Sequence, residues 1–517
     1  MSNQKKPIVV QGREISTQLS PEPNPLPQIV PNYNSIENHP MKGFVQQPMY
    51  RDGFWGVLFL GMIVSMIVTT SLYVPNLSLF AGGAEESEKY ASAWFSIVIA
   101  NCMVAGGLSI LSLGWMFTYA EIFIQSCLVS SVVLNFAAFI FTAISGASIW
   151  FALLWAFMAF ISMWYACIVW SRIPFATANL RTGVTAIRAN LGVMNYAVFL
   201  MLLGVGWTLW WMVNFLAMSI HLAPAQDDDD EDKAFQQMSG GLVFFYLICF
   251  YWAHQVLANV VHATTAGVVG TWWFNPNEAN VCCSGAVTSS FSRATTYSFG
   301  SICLGSLIVA VIQALRAMAN AARQNDDGGG LMACIAECIL SCIESIAAYF
   351  NKWAFVYVGL YGYSFADAGE NVIALFTNRG ISAIIVDDLV GTVLFFFSLG
   401  IGATTGLVGF LIKDIMPSTF EEPPAHYGYI IFGIGFLVGF MFSSILLNVV
   451  SSAVDTSIVC FAEAPADFQI NHNELFTPMQ REWNKFYPFI YNDPVDETGR
   501  GFGGGGHGGV GGGGMRV

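Results

Sequence analysis

The sequence predicts an all-α fold, a polytopic integral membrane protein of about ten transmembrane helices with roughly 20 apolar residues in each. Three observations predict it. Only 10% of the 517 residues are charged and 55% are hydrophobic, whereas soluble domains carry about 25% charged residues, so water-facing surface is scarce. The apolar residues gather in uncharged runs at 54–73, 91–120, 122–171, 189–226, 294–315, 389–412 and 427–454, and the run 234–277 holds only His254 and His262. One such run reads as a buried core helix; a series of them does not. The runs are also rich in Gly, Ser and Thr, which lets helices approach closely in lipid.

Taken in order, the spans fall at 54–73, 91–113, 117–141, 149–170, 195–221, 242–269, 297–317, 353–376, 384–412 and 429–454. The third and fourth are divided at Ser145-Gly146, and the eighth is interrupted by Asp367 and Glu370. Lys42 and Arg51 precede the first span, and Arg172, Arg181 and Arg188 follow the fourth. By the positive-inside rule these flanks face the cytoplasm. Glu85, Glu86 and Glu88, and the acidic run 227–232 (DDDDED), then face outside, and ten spans return the carboxyl tail to the cytoplasm. Strict alternation puts 323–352 outside, although Arg316, Arg323 and Lys352 flank it and its cysteine-bearing helix looks interfacial. A cytoplasmic placement requires an incomplete crossing by the sixth or eighth segment. The eighth is weakened by Gly359, Gly362 and Gly369 and is a candidate broken or re-entrant helix, where transporters place binding sites.

Residues 1–50 are polar and proline-bearing (PEPNPLP), with no apolar stretch behind a basic start, the pattern of a cleaved signal peptide. They read as a disordered cytoplasmic tail. Residues 51–470 read as one transmembrane transporter domain, and 471–517 as a cytoplasmic tail ending in a glycine-rich segment too poor in apolar surface to fold.

The formal net charge of −14 is concentrated in the acidic run, which reads as a solvated loop or as a weak cation-attracting vestibule. No basic patch favours nucleic acid. Most of the eleven cysteines lie in apolar runs, where they act as small hydrophobes. Cys334, Cys338 and Cys342 share one helical face rather than zinc-ligand spacing. Cys282-Cys283 follows a span, where acylation is conceivable but not favoured. No HExxH, P-loop or GxSxG is present, and His254 and His262 are two turns apart, too far for one metal. Neither catalytic residues, a metal nor a cofactor is expected.

Ionisable groups at membrane depth are costly and face a pathway or a partner. Glu121 lies in the third span, Asp367 and Glu370 in the eighth, and Asp455 ends the tenth. The sixth carries Tyr251, Gln255, Asn259 and His262 at steps of four, four and three, one helical face. That stripe either glues helices by hydrogen bonds or lines a wet cavity. Tyr363, Asp367 and Glu370 repeat the pattern. An aromatic face beside a carboxylate suits a quaternary ammonium ion, which has no N–H to donate. Trp207, Trp211 and Asn214 add a third stripe on the fifth span. The candidate substrate-binding residues are Glu121, Trp211, Tyr251, Gln255, Asn259, His262, Tyr363, Asp367 and Glu370.

Five stretches carry a family resemblance: SAVDTSIVCFAE at 452–463, GSICLGSLIVAVIQALR at 300–316, WSRIPFA at 170–176, YGYSFA at 361–366 and GVVGTWWF at 267–274. Over residues 54–488 the chain resembles the choline transporter-like family, solute carrier family 44. The resemblance implies ten transmembrane helices, both tails cytoplasmic, a plasma-membrane location, and transport of choline or a related small organic cation with proton exchange. The loop 74–90 is short where animal members have a large extracellular domain, which places the chain nearer the fungal and protist branch. The sequon at Asn76 lies too near the membrane for glycosylation. The competing class is a membrane scaffold or regulator whose stripes only join helices and whose tails carry the function. A lipid-handling membrane enzyme ranks last, lacking any catalytic constellation.

Overall fold

In the computed structural model, residues 49–73, 84–146, 148–222, 240–282, 284–325, 330–379, 384–415 and 427–487 are described. Residues 1–48 and 488–517, the acidic run and the sequon lie outside them. The described chain is helical: α1 (Gly53–Tyr73), α2 (Ala84–Ile144), α3 (Ile149–Val169), α4 (Ile173–Ala189), α5 (Gly192–Leu222), α6 (Gly240–Phe274), α7 (Gly285–Thr295), α8 (Phe299–Asn325), α9 (Gly330–Tyr361), α10 (Phe365–Arg379), α11 (Ile384–Ile415), α12 (Tyr427–Glu463), α13 (Pro465–Asn471) and α14 (Asn473–Phe486). It is an all-α polytopic membrane protein. Among the described residues, eight helices are long and apolar enough to cross a bilayer, and they cover nine of the ten expected segments.

Two differences from the sequence reading have physical causes. The second and third spans join in α2, whose 61 residues would extend about 90 Å if straight, some three times the hydrocarbon thickness. The helix instead kinks at Tyr119, where φ is −123° and ψ 25°, a few residues past the expected boundary. Trp115 and Phe123 stack across this bend with centroids 6.3 Å apart. The eighth segment is not one helix. Its first half completes α9, which also absorbs the cysteine-bearing helix, and Gly362 at φ +66° ends it. A positive φ is cheap only for glycine, so Gly362 sets the break and Phe365 starts α10.

Packing follows the rule for lipid, where large apolar side chains can face outward. On α3, Trp150, Phe151, Phe157, Phe160 and Trp164 are exposed, while Ala152, Ala159 and Val169 face the bundle. One close crossing joins α11 and α12. An added Cβ on Gly406 would lie 2.8 Å from the Phe432 carbonyl oxygen, and one on Gly439 2.7 Å from Thr405. Small residues four apart on both helices, Gly402/Gly406 and Gly435/Gly439, permit this backbone approach.

The densest core lies toward one end of the bundle. There the second half of α6, residues 353–358 of α9, most of α4 and the last turns of α12 are almost wholly buried. Beyond α12 the chain forms a clamp rather than leaving the bundle at 470. Asn471 Nδ2 donates to the Trp273 and Phe274 carbonyls (2.9 and 3.2 Å), and His472 Nε2 to that of Trp272 (2.9 Å). These satisfy carbonyls that the end of α6 would otherwise leave unpaired. Trp273 stacks on Phe468 at 4.0 Å, and His472 on Trp272 at 3.8 Å. On α14, Phe476, Met479 and Trp483 are buried, and Trp483 Nε1 donates to Asn179 Oδ1 of α4 at 3.3 Å.

Two outcomes follow. Gly439→Ala should destabilise by about 1–3 kcal/mol through overpacking, whereas Gly433→Ala, which meets nothing within 4 Å, should be neutral or slightly stabilising; thermal unfolding in detergent compares them. Burial lowers the His472 pKa from its ordinary 6.5, outweighing the opposing effect of its bond to the Trp272 carbonyl. The unfolded chain therefore takes up the proton first, so the contribution of His472 to stability is complete above pH 6.5 and declines as pH falls below it. An unfolding series against pH should lose that dependence in His472→Gln.

Candidate functional site

The stripe Tyr251, Gln255, Asn259 and His262 faces inward from α6, and two cavities lie against it. At its first end a cavity of about 550 Å³ is lined by Tyr251, Gln313, Arg316, Asn320 and Glu344. Gln255 Nε2 donates to Gln313 Oε1 (3.2 Å), Gln313 Nε2 to Glu344 Oε1 (3.0 Å), and Arg316 pairs with Glu344 Oε2 at 2.9 Å. One turn on, Asn259 Nδ2 donates to Ser306 Oγ at 3.0 Å. A smaller cavity of about 190 Å³ follows, enclosed by α6, α8, α9 and α12 and lined by Gln255, Asn259, His262, Asn351, Lys352, Asn448, Ser451 and Asp455.

The charge in this second cavity is an ion pair: Lys352 Nζ lies 2.9 Å from Asp455 Oδ1. Asp455 is only 1% exposed, and a carboxylate so far removed from water is costly without such a partner. Lys352 Nζ also sits 5.6 Å from the Trp353 ring centroid. His262, on α6, bonds to the same two helices. Its Nε2 lies 2.9 Å from the Lys352 carbonyl oxygen, an acceptor only, so Nε2 carries hydrogen. Its Nδ1 lies 2.7 Å from Ser452 Oγ, and that hydroxyl is also 3.0 Å from the Asn448 carbonyl. The Ser452 hydrogen can thus point either to Nδ1 or to Asn448.

Beyond the ion pair the interior closes on aromatic rings. The Tyr357 and Tyr361 hydroxyls donate to Glu463 Oε2 at 3.3 and 2.9 Å. Tyr357, Tyr361 and Tyr363 lie pairwise 5.3–6.2 Å apart, too close to admit a ligand between them. On the far side of Tyr361 a third cavity of about 630 Å³ opens against the end of α6 and α7. Carboxylates thus recur along the bundle at Glu344, Asp455 and Glu463.

The structure brings Tyr251, Gln255, Asn259 and His262 to these cavities and sets Tyr363 in the tyrosine cluster. It places the other candidates elsewhere. Glu121 is exposed just past the α2 kink, with Gln125 Nε2 3.5 Å away. Trp211 donates to the Tyr246 carbonyl at 2.8 Å and stacks on Phe215, joining α5 to α6. Asp367 and Glu370 are exposed on the first turns of α10, and Asp367 accepts from Ser364 Oγ at 2.6 Å as part of that helix start. Because Tyr363 precedes α10, the three do not form one helical stripe. Sequence reasoning missed Lys352, Ser452, Gln313, Glu344 and Glu463. The available signal was a lysine within one apolar segment and an aspartate within another, which lipid permits chiefly as a pair.

A family model described as plasma-membrane choline transporter matches residues 152–466, a stretch that contains every cavity residue named above. Protein PNS1 of Gibberella zeae is 29% identical, over 86% of this chain and 85% of its own. Protein PNS1 of Mycosarcoma maydis is 29% identical over 84% of each chain, and protein pns1 of Aspergillus fumigatus 25% over 90% of each. With a match covering more than half of its length and enclosing its polar interior, the chain belongs to the choline transporter-like family of membrane proteins.

Proposed function

We propose that the protein moves choline, or a related small organic cation, across the plasma membrane along the polar face of α6, with a proton moving in exchange and both tails in the cytoplasm. The observation that carries this is the succession of carboxylates at Glu344, Asp455 and Glu463, each already engaged by a protein donor or cation, inside a family of choline-type transporters. A quaternary ammonium ion cannot donate a hydrogen bond through nitrogen, so it is held by carboxylate charge and by ring faces. Its hydroxyl needs neutral partners such as Gln255 and Asn259.

On this reading the Lys352 ammonium occupies the place beside Asp455 that a passing cation takes in turn. The tyrosine cluster on Glu463 closes the path beyond it. His262 supports the proton step: placing hydrogen on Nδ1 turns the Ser452 hydroxyl toward the Asn448 carbonyl, while Nε2 keeps its bond to the Lys352 carbonyl. The permanent charge of choline makes proton exchange electrically neutral.

Two tests follow. Protein in liposomes should take up labelled choline saturably, and faster under an opposing proton gradient; Asp455→Asn should lower uptake about tenfold or more, the effect of losing roughly 1.4 kcal/mol. Absence of saturable uptake at every imposed gradient rejects the proposal and favours the scaffold reading, under which loss of the tails alone removes function. Separately, Lys352→Met strands a buried carboxylate and should cost about 3–5 kcal/mol, while Lys352→Met with Asp455→Leu should recover most of it. Unfolding in detergent measures both.

A further inference from the structure

The third cavity is not needed for the path described above, yet it carries its own charges. Its walls come from the end of α6, the turn after it, α7 and the last turn of α9, and include Thr271, Asn275, Glu278, Ser289, Arg293 and Tyr361. Arg293 is half-buried. It donates to Ser290 Oγ at 3.1 Å, and among the described residues no carboxylate lies within ion-pair distance of it. A guanidinium carries five N–H donors in a fixed fork, so most of this donor set is left for something other than the protein. The carboxylate of Glu278 lines the same cavity on the turn after α6, exposed and not paired with Arg293. The cavity, at about 630 Å³, is large enough to hold a small molecule between the two.

A cation partly withdrawn from water without an anion is disfavoured, and that partial burial pushes the Arg293 pKa below its ordinary value. An incoming anion offsets that cost. The guanidinium fork matches two oxygens of a phosphate, and the Asn275 amide can donate to a third. The Glu278 carboxylate in the same cavity disfavours a bare anion and favours one that also carries positive charge.

We propose that this cavity binds a phosphate that bears an ammonium group, with the phosphate on Arg293 and the ammonium toward Glu278. Two sources have this chemistry: the headgroup of a zwitterionic phospholipid, and a free phosphorylated amino alcohol. Of the groups that build the transport path the site shares Tyr361 alone, and its test reads binding and not uptake.

Full-length protein in a phosphate-free maltoside detergent is titrated with phosphorylcholine, inorganic phosphate and choline, and followed by melting temperature. Phosphorylcholine should bind at least about tenfold more tightly than either fragment, and Arg293→Gln should weaken it by about tenfold or more, as expected for losing charge-assisted hydrogen bonds. Arg293→Lys should retain part of the affinity. Glu278→Gln should strengthen inorganic phosphate while weakening phosphorylcholine, an inversion that misfolding cannot produce. If the soluble probes fail but native mass spectrometry finds phosphatidylcholine on the wild type and not on Arg293→Gln, the headgroup is the ligand. If neither soluble probe nor retained lipid differs between wild type and Arg293→Gln, the site does not exist. Equal affinity for inorganic phosphate and phosphorylcholine overturns the role given to Glu278.

Discussion

A lysine and an aspartate inside a membrane bundle must find each other, and the arrangement of this protein depends on that requirement. Lys352 arrives on α9 and Asp455 on α12, from segments about a hundred residues apart. Either charge alone at this depth would be prohibitive. Their contact fixes the relative height of the two helices, and His262, bonded to both elements, fixes α6 against them. Beyond the pair, on the side away from its cavity, residues 260–270 of α6, 353–358 of α9 and 452–462 of α12 expose almost nothing. The pair therefore contributes less to net stability than to uniqueness, because alternative registers of these helices would separate it.

Around this anchor the two ends of the bundle differ. Toward the α4 end, aromatic side chains from α6, α12, α13 and α14 fill the interior, and the clamp satisfies the last carbonyls of α6. Toward the other end the interior is polar and cavitated, with Gln313, Arg316 and Glu344 bonded in series. Aromatic packing at one end and hydrogen-bonded cavities at the other give the molecule unequal resistance to opening. Hydrogen-bonded groups can exchange protein partners for water at little cost, whereas stacked rings cannot be replaced in that way.

The sequence made legible what lies within one helix. The α6 stripe emerged from helical spacing alone, since residues four apart must share a face. The weakness of the eighth segment was readable in its glycines, and Gly362 is where the chain breaks. Pairings between distant segments were not readable. Nothing local joins Lys352 to Asp455, or Glu463 to Tyr357 and Tyr361. Glu337 and Glu344 lower the hydropathy of α9, which disguised its continuity with the segment after it. Asp367 and Glu370 drew attention as acids in an apolar stretch, but they begin a helix, where carboxylates are favoured for reasons unrelated to ligands. The clamp helix did leave a trace, since Phe476, Met479, Trp483 and Phe486 recur at helical spacing in a region set aside as tail.

One small feature ties the amino-terminal approach to this interior. Asp52, with φ +52°, accepts from Ser301 Oγ at 2.7 Å and from the Phe365 backbone N–H at 2.9 Å. The residue immediately before α1 thus caps α10, just past the break at Gly362. A rivet of this kind transmits tension: a pull on the chain ahead of the first helix is delivered to the start of α10, more than three hundred residues away in sequence. Asp52 is therefore mechanically part of the break.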